Sequence, residues 1–175
     1  MENPPRSVTL RPVDDTNLET VVALAVSPGQ EQFVDGVAAS LREAAAHPRA
    51  RPWFRAVYAG DTPVGFLMLA DGAEPGNGVV PWPYYLWRML IDGRHQGRGY
   101  GRAALDLVVA RLRERPDADA LVTSVVPGDG SPYGFYLRYG FQPTGEFFDH
   151  ETVLVLRLRP GRRASAASRR PGPDG

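Results

Sequence analysis

The residues of this chain best suited to chemistry gather in two short segments. The first runs Gln96-Gly97-Arg98-Gly99-Tyr100-Gly101-Arg102, with three glycines at alternate positions. An apolar stretch, Tyr84 to Ile91, leads into it, and a helical pattern follows at once. A strand that ends in a glycine loop and restarts as a helix presents bare backbone N–H groups to an anion, most often a phosphate. The spacing is not G-x-x-x-x-G-K-S/T, and the chain has no lysine, which excludes a P-loop. The dinucleotide spacing G-x-G-x-x-G also fails, because Arg102 to Ala104 supply no third glycine. A plain strand-to-helix turn is the alternative reading.

The second segment is Phe135-Tyr136-Leu137-Arg138-Tyr139-Gly140-Phe141. It follows a break at Pro127-Gly128-Asp129-Gly130, with Ser131 as a helix cap and Pro132 at the first helical position. The alternative for Tyr136 is a packed helix tyrosine.

Together the segments resemble the GCN5-related N-acetyltransferases (GNAT). Gln96-x-x-Gly99-x-Gly101 is similar to that superfamily's acyl-CoA pyrophosphate loop, and Phe135 to Phe141 to its L-Y-x-x-x-G-F segment. The resemblance implies acetyl-CoA as acyl donor, with no metal. Backbone groups of Gln96, Gly97, Arg98, Gly99, Tyr100, Gly101 and Arg102 would take the pyrophosphate, aided by the helix dipole. Met89, Leu90 and Ile91 would pair with the pantetheine amides, a form of strand addition. Tyr136 falls on the position that commonly protonates the departing thiolate. Asp129 stands where the family often has an asparagine touching the cofactor arm.

A narrower resemblance is to bacterial spermine/spermidine N-acetyltransferases. It rests on Asn17 to Val34, Ser40-Leu41-x-x-Ala44, Val64-Gly65-Phe66, Arg88-Met89-x-Ile91-Asp92 and Gly145-Glu146, and spans about residues 7–158. It implies a small-molecule amine acceptor, a polyamine or diamine first. Other acceptors are a protein N-terminus, a lysine or an aminoglycoside-type amine. A non-enzymatic acyl-CoA-binding regulatory module is the remaining alternative. One departure bears on the acceptor: Trp87 stands where an aspartate occurs in that group. Tyr85, Trp87, Glu146 and Glu151 are the candidate acceptor-binding residues, and Glu146 is also the candidate base. Dimers are common among similar proteins, so a homodimer is a candidate assembly that the sequence does not decide.

The elements that must position these groups follow from pattern. Strands are expected at 6–12, 53–58, 64–69, 84–91, 120–126, 141–147 and 152–158. Helices are expected at 18–26, 30–46, 101–115 and 133–139. On the strand at 84–91, Tyr85 and Trp87 face one side, and Tyr84 and Leu86 the other. The Gly/Pro-rich loop 71–83 is long enough to suggest a functional role. The fold class is therefore α/β: the GNAT fold, a mixed, mostly antiparallel sheet with flanking helices and a splayed strand pair. Residues 1–159 form one domain, and 160–175 read as a disordered Arg/Pro/Gly-rich tail.

Composition narrows the field. The 175 residues carry no net formal charge, but residues 160–175 hold four arginines, leaving 16 arginines against 19 acids in the body. All 20 basic residues are arginine, so no lysine can be catalytic or self-modified. There is no cysteine, which excludes disulfides, thiolate nucleophiles and Cys-based zinc sites. His47, His95 and His150 show no metal-ligand spacing. No apolar run reaches the roughly 20 residues of a membrane span, and residues 1–12 lack the apolar core of a secretory signal. A cytoplasmic protein with no membrane association is expected. No aromatic platform accompanies the tail arginines, so nucleic acid is not expected as a partner.

Overall fold

A computed structural model describes residues 7–160. In chain order they form β1 (Val8–Arg11), α1 (Leu18–Val22), α2 (Val37–Ala46), β2 (Pro52–Ala59), β3 (Thr62–Asp71) and β4 (Tyr84–Ile91). Then follow α3 (Tyr100–Arg113), β5 (Ala120–Val125), α4 (Tyr133–Tyr139), β6 (Gln142–Phe148) and β7 (Glu151–Arg157). One-turn helices sit at Pro48–Ala50 and Gly93–His95. The tail reading falls outside the described residues except for Pro160. Among the described residues no helix is long and apolar enough to cross a membrane.

The strands make one sheet in the order β1-β2-β3-β4-β5-β7-β6. Every neighbouring pair is antiparallel except β4 and β5, which run parallel. Strand alternation sorts the side chains into two layers. Tyr84 and Leu86 pack under α3 with Leu105, Val108 and Leu112, while Tyr85 and Trp87 join Val21, Val37 and Ala44 of α1 and α2. The three- and four-residue spacing of α3's buried positions makes one continuous apolar stripe. Its far end is fixed by charge: Arg111 and Arg115 both reach the buried Asp71 carboxylate at 2.7 Å.

The sheet splits where β4 meets β5. Their register holds one pair, Tyr85 with Val122, and Thr123 Oγ1 donates to Leu86 O at 3.0 Å. Just beyond, β4 carries an irregularity: Met68 pairs with Arg88 but Leu69 with Leu86, leaving Trp87 as an extra residue. Such a bulge bends and twists the strand that carries it, and here it precedes the separation of β4 from β5.

Two helices are shorter than their patterns predict. The helix expected from Gln30 begins only at Val37, because Gly36 is extended and residues 27–33 fold into turns, with Gln30 N donating to Ser27 O and Phe33 N to Gln30 O. The helix from Leu18 ends at Val22, and Ala25 is taken by the end of β4 instead: its N–H donates to Asp92 Oδ2 at 3.1 Å, and its carbonyl accepts from Gly93 N at 2.8 Å. The long loop 72–83 is folded by Asn77. Its amide donates to Glu74 O and Val80 O, and its oxygen accepts from Val79 N and Val80 N.

Candidate active site

The divergence of β4 and β5 opens a cavity of about 720 Å³. Its walls combine the end of β4, the glycine loop, the start of α3, residues Thr123 to Val125 of β5, and α4. The structure thus brings the two chemical segments to one cleft.

Backbone register decides which groups of β4 are free. Asp92 N donates to Val64 O at 2.8 Å, so the hydrogen-bonded pairs with β3 are Asp92 with Val64 and Leu90 with Phe66. The backbone groups of Met89 and Ile91 therefore point away from β3, into the gap that β5 vacates. Leu90, expected to share this role, turns its backbone into the ladder and gives the cavity only wall. Gly65 lets β4 lie this close to β3: a Cβ there would stand 2.5 Å from Leu90 O and 2.7 Å from Ile91 Cδ1.

The glycine loop departs at once from that edge. Gly97 and Gly99 have φ of +74° and +79°, a region that side-chain-bearing residues rarely adopt. Gly101 already belongs to α3, where an added Cβ would meet Met89, Ile91 and Phe135 at 3.6 Å, an ordinary contact. Gln96 works inward: its Nε2 donates to Ile91 O at 2.9 Å and to Gln30 Oε1 at 2.8 Å. Asp92 clamps the same corner. Its buried carboxylate accepts from Ala25 N, Arg94 N and the Arg94 guanidinium. The Arg94 bonds, opposed by burial, hold its carboxyl down at about 2.

Tyr136 reaches the cavity from α4. Gly140, with φ of +128°, ends that helix, and Phe141 N donates back to Tyr136 O at 3.0 Å. Burial pushes the phenol well above its ordinary range. The group therefore stays protonated at neutral pH, as a proton donor must.

Another part of the cavity wall centres on Tyr85. Its OH lies 2.6 Å from Ser124 Oγ, and Ser124 Oγ donates to Glu151 Oε2. The ring stacks on Trp82 (5.4 Å) and meets Phe148 edge-on (6.4 Å). Burial pushes its phenol up to about 12. Trp87 and Arg88 share the wall, and the Arg88 guanidinium bridges Asp35 and Glu43, each at 2.7 Å.

Of the residues expected at the site, Met89, Leu90, Ile91, Gln96, Gly97, Gly99, Tyr100, Gly101, Arg102, Tyr136, Tyr85, Trp87 and Glu151 line this cavity. Arg98, Asp129 and Glu146 do not. Arg98 is exposed between two positive-φ glycines. Asp129 is exposed in a loop that Ser131 closes by donating to Val126 O, and Gly130 lines the wall in its place. Glu146 is exposed on β6, the edge strand, which β7 separates from β5. The loop 72–83 also stays off the cavity and serves it through Trp82. Sequence reasoning missed Ser124, Gln30 and Phe33 as wall residues, and missed the inward bonds of Gln96.

One cavity thus gathers a glycine loop at a helix start, the backbone N–H groups of Met89 and Ile91 on the side of β4 away from β3, and a buried phenol. The profile of the Acetyltransferase (GNAT) family matches residues 18–141. This chain belongs to the GNAT acetyltransferase family. Its donor is accordingly acetyl-CoA, the acyl donor of that family. A curated relative of this GNAT chain is the spermine/spermidine N(1)-acetyltransferase of Bacillus subtilis (strain 168), 29% identical over 153 residues, covering 87% of this chain and 99% of the relative. Among solved structures, an acetyltransferase from Thermus thermophilus aligns with a TM-score of 0.64 at 24% identity, over 86% of this chain and 97% of that one. A Thermoplasma acidophilum N-acetyltransferase in complex with coenzyme A aligns with a TM-score of 0.59 at 14% identity, over 86% and 99%. These two share the GNAT fold seen here, with its seven-stranded, mostly antiparallel open sheet.

Proposed function

We propose that this protein transfers the acetyl group of acetyl-CoA to a primary amine of a diamine or polyamine. The observation that carries the transfer is the split between β4 and β5, which puts the glycine loop, the open edge of Met89 and Ile91, and the Tyr136 phenol on one cavity. The loop amides of Gly97 to Arg102 receive the pyrophosphate. The free edge of β4 pairs with the pantetheine amides and lends N–H donors to the charge that develops on the thioester oxygen. The amine attacks the thioester carbonyl from the Tyr85 side, and Tyr136 gives its proton to the departing sulfur.

Two things support a dicationic acceptor. The B. subtilis relative is named for spermine and spermidine and aligns over nearly its full length. Glu151 also lines the cavity beside Tyr85, and Asp35 and Glu43 behind that wall hold the Arg88 guanidinium, so the four groups together carry more negative than positive charge. With Trp87 in place of an aspartate, cation recognition falls to those carboxylates and to the ring faces of Tyr85 and Trp87. The test is a panel of amines with acetyl-CoA, followed by free thiol release. Spermidine, spermine and short diamines are expected to turn over well ahead of a monoamine of equal length. Equal rates for the monoamine, or no turnover of any diamine, contradict the acceptor assignment.

A further inference from the structure

The polarity of the hydrogen bonds around Tyr85 has a chemical consequence. The Glu151 carboxylate is an acceptor only. Ser124 has one hydroxyl proton, and it is committed to Glu151 Oε2. The bond between Tyr85 OH and Ser124 Oγ must then run from the phenol to the serine, at 2.6 Å. The phenol's only proton is therefore committed to Ser124, and its oxygen has only lone pairs left to offer a further partner. Trp82 and Phe148 hold the ring in that pose. A buried oxygen that can only accept is a seat for an N–H donor.

We propose that Tyr85, Ser124 and Glu151 form a directional proton path that removes a proton from the acceptor ammonium before attack. The inference rests on the proposed transfer to an amine. The ammonium donates to the Tyr85 oxygen. As its N–H bond breaks, the nitrogen keeps the electron pair and a new O–H bond forms on Tyr85. The proton already on Tyr85 passes to Ser124 Oγ, and the one on Ser124 passes to Glu151 Oε2. The path ends with a neutral amine and a protonated carboxyl, which returns its proton to water at the half-exposed mouth. Tyr85 touches the substrate, while Ser124 and Glu151 are positioning residues that act through it. The groups facing Tyr85 are Glu151 from β7, Arg88 from β4, Glu43 from α2 and Tyr136 from α4. Arg88 is held by Asp35 and Glu43, so Glu151 is the carboxylate left to receive the proton. This path takes the place expected of Glu146, which stands outside the cleft.

The experiment measures kcat and KM separately for the best amine between pH 7 and 9.5 in the wild type, Glu151→Gln, Ser124→Ala and Ser124→Thr. Melting temperature and coenzyme A affinity are measured alongside. At pH 7, Glu151→Gln and Ser124→Ala are expected to lose roughly 100-fold, the scale of general-base catalysis. The deficit should shrink as pH rises toward the roughly 10.4 of an alkyl ammonium, where water supplies neutral amine. Ser124→Thr keeps a hydroxyl and should recover most of the rate. A pH-independent deficit confined to KM leaves Glu151 with cation recognition alone and overturns the path. Wild-type rates in Ser124→Ala also overturn it. If the wild type acetylates no amine at all, the proposed function fails, and the path with it. If it acetylates amines but either of the other two results appears, only the path fails.

Discussion

Gln96 Nε2 donates to Ile91 O at 2.9 Å, and this bond joins the glycine loop to the end of β4. In the proposed function, pyrophosphate and pantetheine are parts of one molecule, so the surfaces proposed to take them must keep a fixed spacing. Gln96 sets that spacing, and its second bond to Gln30 ties both to the turn below α1.

Gln96→Ala removes both bonds, each worth about 1 kcal/mol. A loss of 1.4 kcal/mol is tenfold in affinity. Titration calorimetry should show coenzyme A binding weakened about tenfold or more, with Tyr136 chemistry intact once the cleft is saturated. An unchanged affinity would remove Gln96 from the spacing of the loop.

Gly65→Ala places a methyl 2.5 Å from Leu90 O. Backbone must move to admit it, and the backbone that moves is the edge offered to the donor. Overpacking of this kind costs about 1–3 kcal/mol. Chemical denaturation should show that loss together with a raised KM for acetyl-CoA. A destabilised variant with an unaltered KM would mean that the strain relaxes into β2 and β3 instead.

Asp92 makes the corner sensitive to acid. Its carboxyl titrates at about 2 when folded, against an ordinary value of 3.8. A lowered pKa means that the folded state favours the ionised form. The stabilisation is fully present above pH 3.8 and is lost as pH falls through about 2. Asp92→Asn should cost on the order of 2 kcal/mol at pH 7. The gap between variant and wild type should close between about pH 4 and pH 2. A gap that stays constant across that window would assign the loss to packing.

What the sequence carries most clearly is local. Tyr136-x-x-x-Gly140-Phe141 lies on one helix and its cap, and the glycine loop lies on one strand-to-helix junction. Both keep their relation in the folded protein because few residues separate the parts. The faces of β4 were also readable, since alternation alone sends Tyr85 and Tyr84 to opposite layers. The opposite wall was legible only in part: Tyr85, Trp87 and Glu151 line the cavity as expected, whereas Ser124 and the bonds that join these residues were not foreseen. Tyr85, Ser124 and Glu151 sit on β4, β5 and β7, and only the sheet order and the pairing of Ser124 with Val153 and Val125 with Thr152 bring them together. Glu146 illustrates the same limit from the other direction. It lies close to Glu151 in the chain, yet the hairpin places it on the outer strand. Helix starts failed where glycine intervened: Gly36 interrupts an otherwise plausible helical stretch and frees Phe33 and Val34 to line the cleft.

The proposed function makes Tyr136 the proton donor to the leaving thiolate, and its removal is the most direct test of acetyl transfer in this cleft. Steady-state turnover of Tyr136→Phe with acetyl-CoA and the best amine, measured beside coenzyme A affinity, isolates the phenolic proton from the packing of the ring. A proton-donating Tyr136 predicts a fall in kcat of about 100-fold with coenzyme A affinity unchanged. Wild-type kcat in that variant would contradict it.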